Sequence, residues 1–216
     1  DKIYHISEIL YHWRMIKSST AGNPKAKTYA FEAGKKAIES ALSRRNIKGS
    51  VSVGKLLGTY RVKYKIEDEP RVSIIIPTKD HAKDLKICIE SVMDKTDYTN
   101  FEIIIVDNGS KKKETFALFE KYKSLLEERF IVLDLDVPFN YSYLNNEGVK
   151  KSTGDYILLL NNDIQILTDH WLERMIGFAQ QKHIGAVGAK LYYKDGTIQH
   201  AGVVIGLGGV AGHSHK

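Results

Sequence analysis

The chain has 216 residues, 43% hydrophobic and 27% charged, an ordinary globular balance with room for one full domain and a smaller piece. A single cysteine, Cys88, excludes an intrachain disulfide and any cysteine-based metal site. The formal net charge of +6 suits a polyanionic ligand, a membrane surface or nucleic acid without choosing among them.

The amino-terminal stretch DKIYHISEILYHW lacks the cationic start and apolar core of a signal peptide. No apolar run in the chain approaches the length of a membrane span. The chain begins at Asp1 rather than Met, so an excised piece of something longer is expected. IYHISEILYHWRM reads equally as a strand or an edge helix, and SSTAGNP, Ser18 to Pro24, has the composition of a loop. Tyr29, Ala33, Ala37, Ile38, Ala41 and Leu42 recur at helical spacing and predict an amphipathic helix with a basic end. GTYRVKY alternates and predicts one strand. The first 69 residues carry no recognisable chemistry, and their basic charges read as a solvated face. EDEP, Glu67 to Pro70, is the expected boundary, with a second domain over residues 70–216.

After Pro70 the pattern becomes regular. VSIII (72–76) is a predicted strand, and Leu85, Cys88, Ile89 and Val92 mark a helix, with Cys88 as a small core residue. FEIIIV (101–106), FIVLD (130–134) and YILLL (156–160) are further strands, separated by helices around 112–127 and 142–151. A helix follows from about Asp169 to Gln181, and IGAVGAKLYY reads as a fifth strand. Strands alternate with helices and are continuously apolar. That combination predicts an α/β fold, a mostly parallel sheet covered by helices on both faces.

Polar residues gather just after these strands. Thr78, Lys79 and Asp80 follow the first; Asp107, Asn108, Gly109 and Ser110 follow the second; Asn161, Asn162 and Asp163 follow YILLL. Ligands of open parallel sheets bind outside the carboxyl ends of the strands. Asp80, Asp107 and Asp163 are therefore expected to rim one crevice. Each also has a plainer explanation as a turn or helix cap. The turn after the first strand, PTKDHAKD, has neither GxGxxG nor GxxxxGK[ST], which disfavours a dehydrogenase or a P-loop enzyme. The GxGxxA of Gly206, Gly208 and Ala211 reads as a flexible loop, not a dinucleotide fingerprint. Carboxylates can instead hold a diphosphate through Mg²⁺ or Mn²⁺. Asp163 is the expected metal ligand, with Asn161 and Asn162 beside it.

The ordered set VSIIIPTKD, FEIIIVDNGS and NNEGVKKSTGDYILLLNNDI resembles the family 2 glycosyltransferases. The resemblance implies a truncated, Rossmann-like GT-A fold and inverting sugar transfer from a nucleotide-diphospho-sugar. NND resembles the family's DxD-type metal motif, with Asp163 as ligand. Asp107 matches the strand-end aspartate that contacts the pyrimidine base, and Pro77, Thr78 and Asp80 match the base pocket. Asn146 and Gly148 match the NxG before the fourth strand. ILYHWRMIKSSTA is similar to the close of a preceding module in tandem bacterial surface-polysaccharide enzymes of rhamnosyltransferase type. The implied cofactor is Mn²⁺ or Mg²⁺. The implied partners are a UDP- or dTDP-sugar donor and a glycan or lipid-linked acceptor, and not nucleic acid. The implied location is cytoplasmic, with peripheral association at the inner face of the membrane left open.

One part of the family pattern is missing. The catalytic base lies well downstream of the metal motif, and after Asp163 the only carboxylates are Asp169, Glu173 and Asp195. None resembles the base motif, so the base is expected beyond Lys216 and the isolated chain is expected to be inactive. His200, His213 and His215 lie in a glycine-rich stretch that reads as a mobile loop, with an HxH metal pair as the alternative. Two other classes remain: a non-catalytic nucleotide-sugar-binding or assembly module, and a metal-dependent nucleotidyltransferase.

Overall fold

A computed structural model describes residues 4–12 and 29–214. The loop expected at 18–24 and His215 lie outside the described residues. Contacts divide the chain into two units, Asp1–Lys65 and Ile66–Lys216.

In the first unit, α1 (Tyr29–Arg44) is the expected amphipathic helix, and none of its residues is fully buried. The predicted strand around Tyr60 is β2 (Tyr60–Tyr64), paired antiparallel with β1 (Gly49–Val53). β1 was not anticipated, because GSVSV offers only two apolar side chains. The Tyr60 hydroxyl donates to the Phe31 carbonyl at 2.7 Å and ties the hairpin to α1.

The second unit is built on four parallel strands in the order β5-β4-β3-β6. These are β3 (Val72–Thr78), β4 (Phe101–Asp107), β5 (Phe130–Asp134) and β6 (Tyr156–Leu159). β3 and β4 are central and buried on both faces, which is why they read as unbroken apolar runs. On one face, α2 (Ala82–Lys95), α3 (Lys113–Leu126) and α5 (Trp171–Ala179) pack Leu85, Cys88, Ile89, Phe119, Tyr122 and Leu172 against Ile74, Ile76, Ile103 and Ile105. On the other, α4 (Tyr141–Lys151) sets Leu144 against Ile75, Ile104 and Val106.

A carboxylate is buried near the amino end of β4. Glu102 of β4 takes hydrogen bonds from Ser73 Oγ at 2.6 Å, Thr153 N at 2.8 Å, Thr153 Oγ1 at 3.0 Å and Arg71 Nη2 at 2.9 Å. Burial alone would raise its pKa. The hydrogen bonds from Ser73 and Thr153 and the Arg71 charge outweigh burial, and the pKa lies below the ordinary glutamate value. Glu102 thereby joins β3, β4 and the turn that leads into β6.

The expected fifth strand over IGAVGAKLYY is corrected. Only β7 (Leu191–Tyr192) forms there, and it pairs antiparallel with β8 (Ile198–His200), not with the main sheet. Gly185, Gly188 and two alanines supply little side chain to pack on a pleated surface. β9 (Val203–Ile205) and β10 (Ala211–His213) form a further hairpin.

Candidate functional site

The chain leaves β3 for β4 and β5 on one side, then returns to β6 on the other. A reversal of strand order of this kind opens a crevice at the carboxyl ends of the two flanking strands. Here those ends are Thr78 on β3 and the Asn161–Asp163 turn just beyond β6.

The two sides of the crevice touch. Asn162 Nδ2 donates to Thr78 Oγ1 at 2.9 Å. The Tyr141 hydroxyl, at the start of α4, donates to Asn161 Oδ1 at 3.3 Å. The Asn161 carbonyl accepts from Cys88 Sγ at 3.6 Å. Burial, with Asp163 nearby, pushes the Cys88 thiol up to about 12, so it stays protonated and fits the expected core role. Asp163 is exposed and makes no hydrogen bond or ion pair among the described residues.

On the β4 side, Asp107 pairs in register with Thr78 and is 2% exposed. Its carboxylate accepts from Ser110 N at 3.1 Å and from Ser110 Oγ. Burial raises its pKa, the Ser110 hydrogen bonds oppose the rise, and Asp134 and Asp80 add to it. Asn108 Nδ2 donates to the carbonyls of Leu135 and Val137 at 2.9 and 2.8 Å, which fixes the loop after β5. Gly109 has φ 77, and a Cβ there would run into the Asp136 carboxylate, so this turn needs glycine.

Asp80 is engaged elsewhere. Its Oδ1 accepts from the backbone N–H groups of Lys111 and Lys112 at 3.0 and 2.9 Å, just ahead of α3. The Lys112 hydrogen bond is the largest of the effects that hold its pKa below the usual aspartate value. The plainer expectation, a helix cap, describes this carboxylate, although the helix is α3 and not the neighbouring α2. Pro77 is half-buried at the end of β3, and Lys79 is exposed. Asn146 lies in the middle of α4 and is exposed. Its neighbour Asn145 is turned inward, donating to the Tyr141 carbonyl at 2.8 Å while its own Oδ1 is buried without a partner. Gly148 lies against the sheet, where a Cβ would come within 2.5 Å of Ile75 Cγ2.

The downstream carboxylates are committed away from the crevice. Asp169 pairs with Lys95 at 3.2 Å, Glu173 lies 3.4 Å from His170, and Asp195 closes its own turn on Thr197. His200 and His213 meet through their Nδ1 atoms at 3.0 Å, and among the described residues neither bonds to the Asn161–Asp163 turn. No helix among the described residues is long and apolar enough to cross a membrane. Sequence reasoning places Asn108 and Ser110 at a strand end without giving either a role, and it does not name Tyr141. Asn108 and Ser110 both sit within the visible DNGS turn, but the partners of Asn108 and Tyr141 come from across the fold.

A switch-point crevice with polar strand ends on a helix-covered parallel sheet defines an open α/β nucleotide-binding type of domain. The chain belongs to glycosyl transferase family 2, whose family model matches residues 73–203. It is 47% identical to protein y4gI of Sinorhizobium fredii (strain NBRC 101917 / NGR234), over 99% of this chain and 24% of that protein. It is 39% identical to the O-antigen biosynthesis protein RfbC of Myxococcus xanthus, over 99% of this chain and 16% of that protein. The chain thus spans a quarter or less of these two relatives. Its fold is similar to that of the mannosyltransferase PcManGT of Pyrobaculum calidifontis, solved with GDP-Man and Mn²⁺: TM-score 0.53 and 16% identity over 78% of this chain and 46% of that one.

Proposed function

We propose that residues 70–216 form the donor-binding part of an inverting glycosyltransferase that takes a nucleotide-diphospho-sugar in polysaccharide synthesis. The observation that carries this reading is the closed switch point, where Asn162 bonds Thr78 and the adjacent Asp163 carboxylate has no partner among the described residues.

The residues have separate roles. Asp107, fixed by Ser110, accepts the N3–H of a uracil or thymine ring, and a cytosine, which has a bare acceptor there, is rejected. Thr78 and Pro77 line the same pocket. Asn161 and Asn162 border the ribose and the diphosphate. Asp163 suits a hard divalent cation: it is an exposed carboxylate, paired with no lysine or arginine among the described residues, and it follows two asparagines in the chain. When bound there, Mn²⁺ or Mg²⁺ neutralises charge on a leaving diphosphate. Asp169, Glu173 and Asp195 have other partners, and none is assigned as the base.

Calorimetric titration of UDP and dTDP tests the reading, with Mn²⁺ and then with EDTA. The expected result is metal-dependent binding that Asp163→Ala weakens at least tenfold. Binding unchanged by Asp163→Ala or by EDTA would remove Asp163 from the site. CDP should bind at least tenfold more weakly than UDP if Asp107 reads N3–H.

A further inference from the structure

The edge of the sheet opposite the crevice holds a second cluster of ligating side chains. α2 runs back from the crevice end of β3, so the loop that follows it, from Thr96 to Asn100, lies at the amino ends of the strands. α5 starts at this same edge. Trp171 Nε1 donates to Thr96 Oγ1 at 2.8 Å, and Lys95 pairs with Asp169. Between these two contacts, Asp97 Oδ2 lies 2.9 Å from His170 Nδ1, and Glu173 Oε1 lies 3.4 Å from the same nitrogen. The ligand atoms of the three residues are all within 4.8 Å of one another.

An ion pair alone leaves this cluster unbalanced. One ring nitrogen presents one proton at most, and two carboxylates converge on it. Glu173 Oε2 is buried and has no hydrogen-bond partner among the described residues. The adjacent lysine, Lys95, is shared between Asp94 and Asp169. A divalent cation would serve all of these groups at once, taking the His170 lone pair, an Asp97 oxygen and the Glu173 carboxylate. Zinc binds imidazole nitrogen and carboxylate oxygen at about 2.0–2.2 Å, and three protein ligands with a water complete its tetrahedron. Ligand atoms at those lengths sit roughly 3.3–3.5 Å apart. The two separations from His170, 2.9 and 3.4 Å, need only a few tenths of an ångström of adjustment, and the third, between Asp97 and Glu173, lies within 4.8 Å and closes as both carboxylates turn onto the ion. The positive end of the α5 dipole opposes a cation here, but it amounts to about half a charge against two carboxylates.

We propose that Asp97, His170 and Glu173 form a zinc-class divalent cation site, separate from the donor crevice, that clasps the loop after α2 to the start of α5. The segment between β6 and α5 runs along α2, held by Cys88 at Asn161 and by Ser91 Oγ, which accepts from Ile166 N at 2.9 Å. A cation on His170 anchors the far end of that segment, whose near end carries Asp163.

The test uses the full 216-residue chain with Asp163→Ala, so that any cation at the crevice is removed from the reading. Zinc is added, bound metal is measured by equilibrium dialysis, and the thermal midpoint is followed. The expected result is about one zinc per chain and a raised midpoint, with affinity at least tenfold weaker after His170→Ala or Glu173→Gln. Cobalt substitution should give a tetrahedral absorption band that the same changes abolish. Glu173→Gln is nearly isosteric and keeps the reading intact if His170→Ala unfolds. Absence of bound zinc, or zinc binding that survives both substitutions and disappears with His200→Ala, overturns the proposal.

Discussion

Asp80 and Asp163 look alike in the sequence, each a carboxylate within a few residues of a strand end, yet their surroundings differ. Asp80 accepts two backbone N–H groups at the start of α3, whereas Asp163 accepts none. The Asp80 carboxylate is thus stabilised in its charged form, and its folded-state pKa is depressed. A depressed pKa contributes stability above the unfolded-state value, lost as pH falls through the folded-state value. Asp80→Asn should therefore lower the thermal midpoint at pH 7, and the gap to the native chain should close as the pH drops below 4. Thermal melts of both chains between pH 7 and pH 3 measure this. A gap that stays constant across that range would mean that the charge on Asp80 contributes nothing to the cap. The strand-end positions of Asp107 and Asp163 were legible because an apolar run announces each strand. The partners of Asp80 were not, since they come from the turn after β4, one strand further along.

At the scale of elements, α4 is held against the sheet by the absence of a side chain. Gly148 faces Ile75 and Val106, and a Cβ would sit 2.5 and 3.1 Å from their Cγ2 atoms. The helix must retreat or the two side chains must leave their rotamers, at a cost of about 1–3 kcal/mol for overpacking. Gly148→Ala should destabilise the chain by that amount in urea unfolding even though alanine has the better helix propensity. A gain in stability would show that the helix–sheet gap can absorb a methyl group. The NxG of the sequence thus acquires a packing reason for its glycine, whereas its asparagine faces solvent in mid-helix. β3 and β4 were legible for a related reason: burial on both faces leaves no polar position in the middle of either strand except Ser73 and Glu102, and those two bond to each other. The stretch from Ile184 to Lys190 carries a strand-like apolar pattern and forms no strand, because small residues satisfy the pattern without supplying side chains that pack.

At the scale of the whole molecule, the apolar core belongs to one unit. Every residue in the two buried clusters, from Val72 to Ile176, lies in Ile66–Lys216, and Ile66 itself packs against the larger one. In the first unit the buried apolar residue among those described is Val51. The EDEP stretch marked a boundary through its charge and its proline, and contacts divide the chain just ahead of it. A sheet with both faces covered by its own helices should need nothing further to unfold cooperatively. A chain beginning at Ile66 should therefore show a single urea transition, with an m value of roughly 1–3 kcal/mol per molar. Its Mn²⁺-dependent affinity for UDP should match that of the 216-residue chain, because Thr78, Asp107 and Asp163 all lie within it. Urea titration followed by far-ultraviolet circular dichroism and by tryptophan fluorescence checks the folding, with Trp171 reporting on the core. Non-coincident transitions in the shortened chain would show that the second unit depends on residues 1–65. Coincident transitions with lost UDP affinity would place part of the donor site in the first unit.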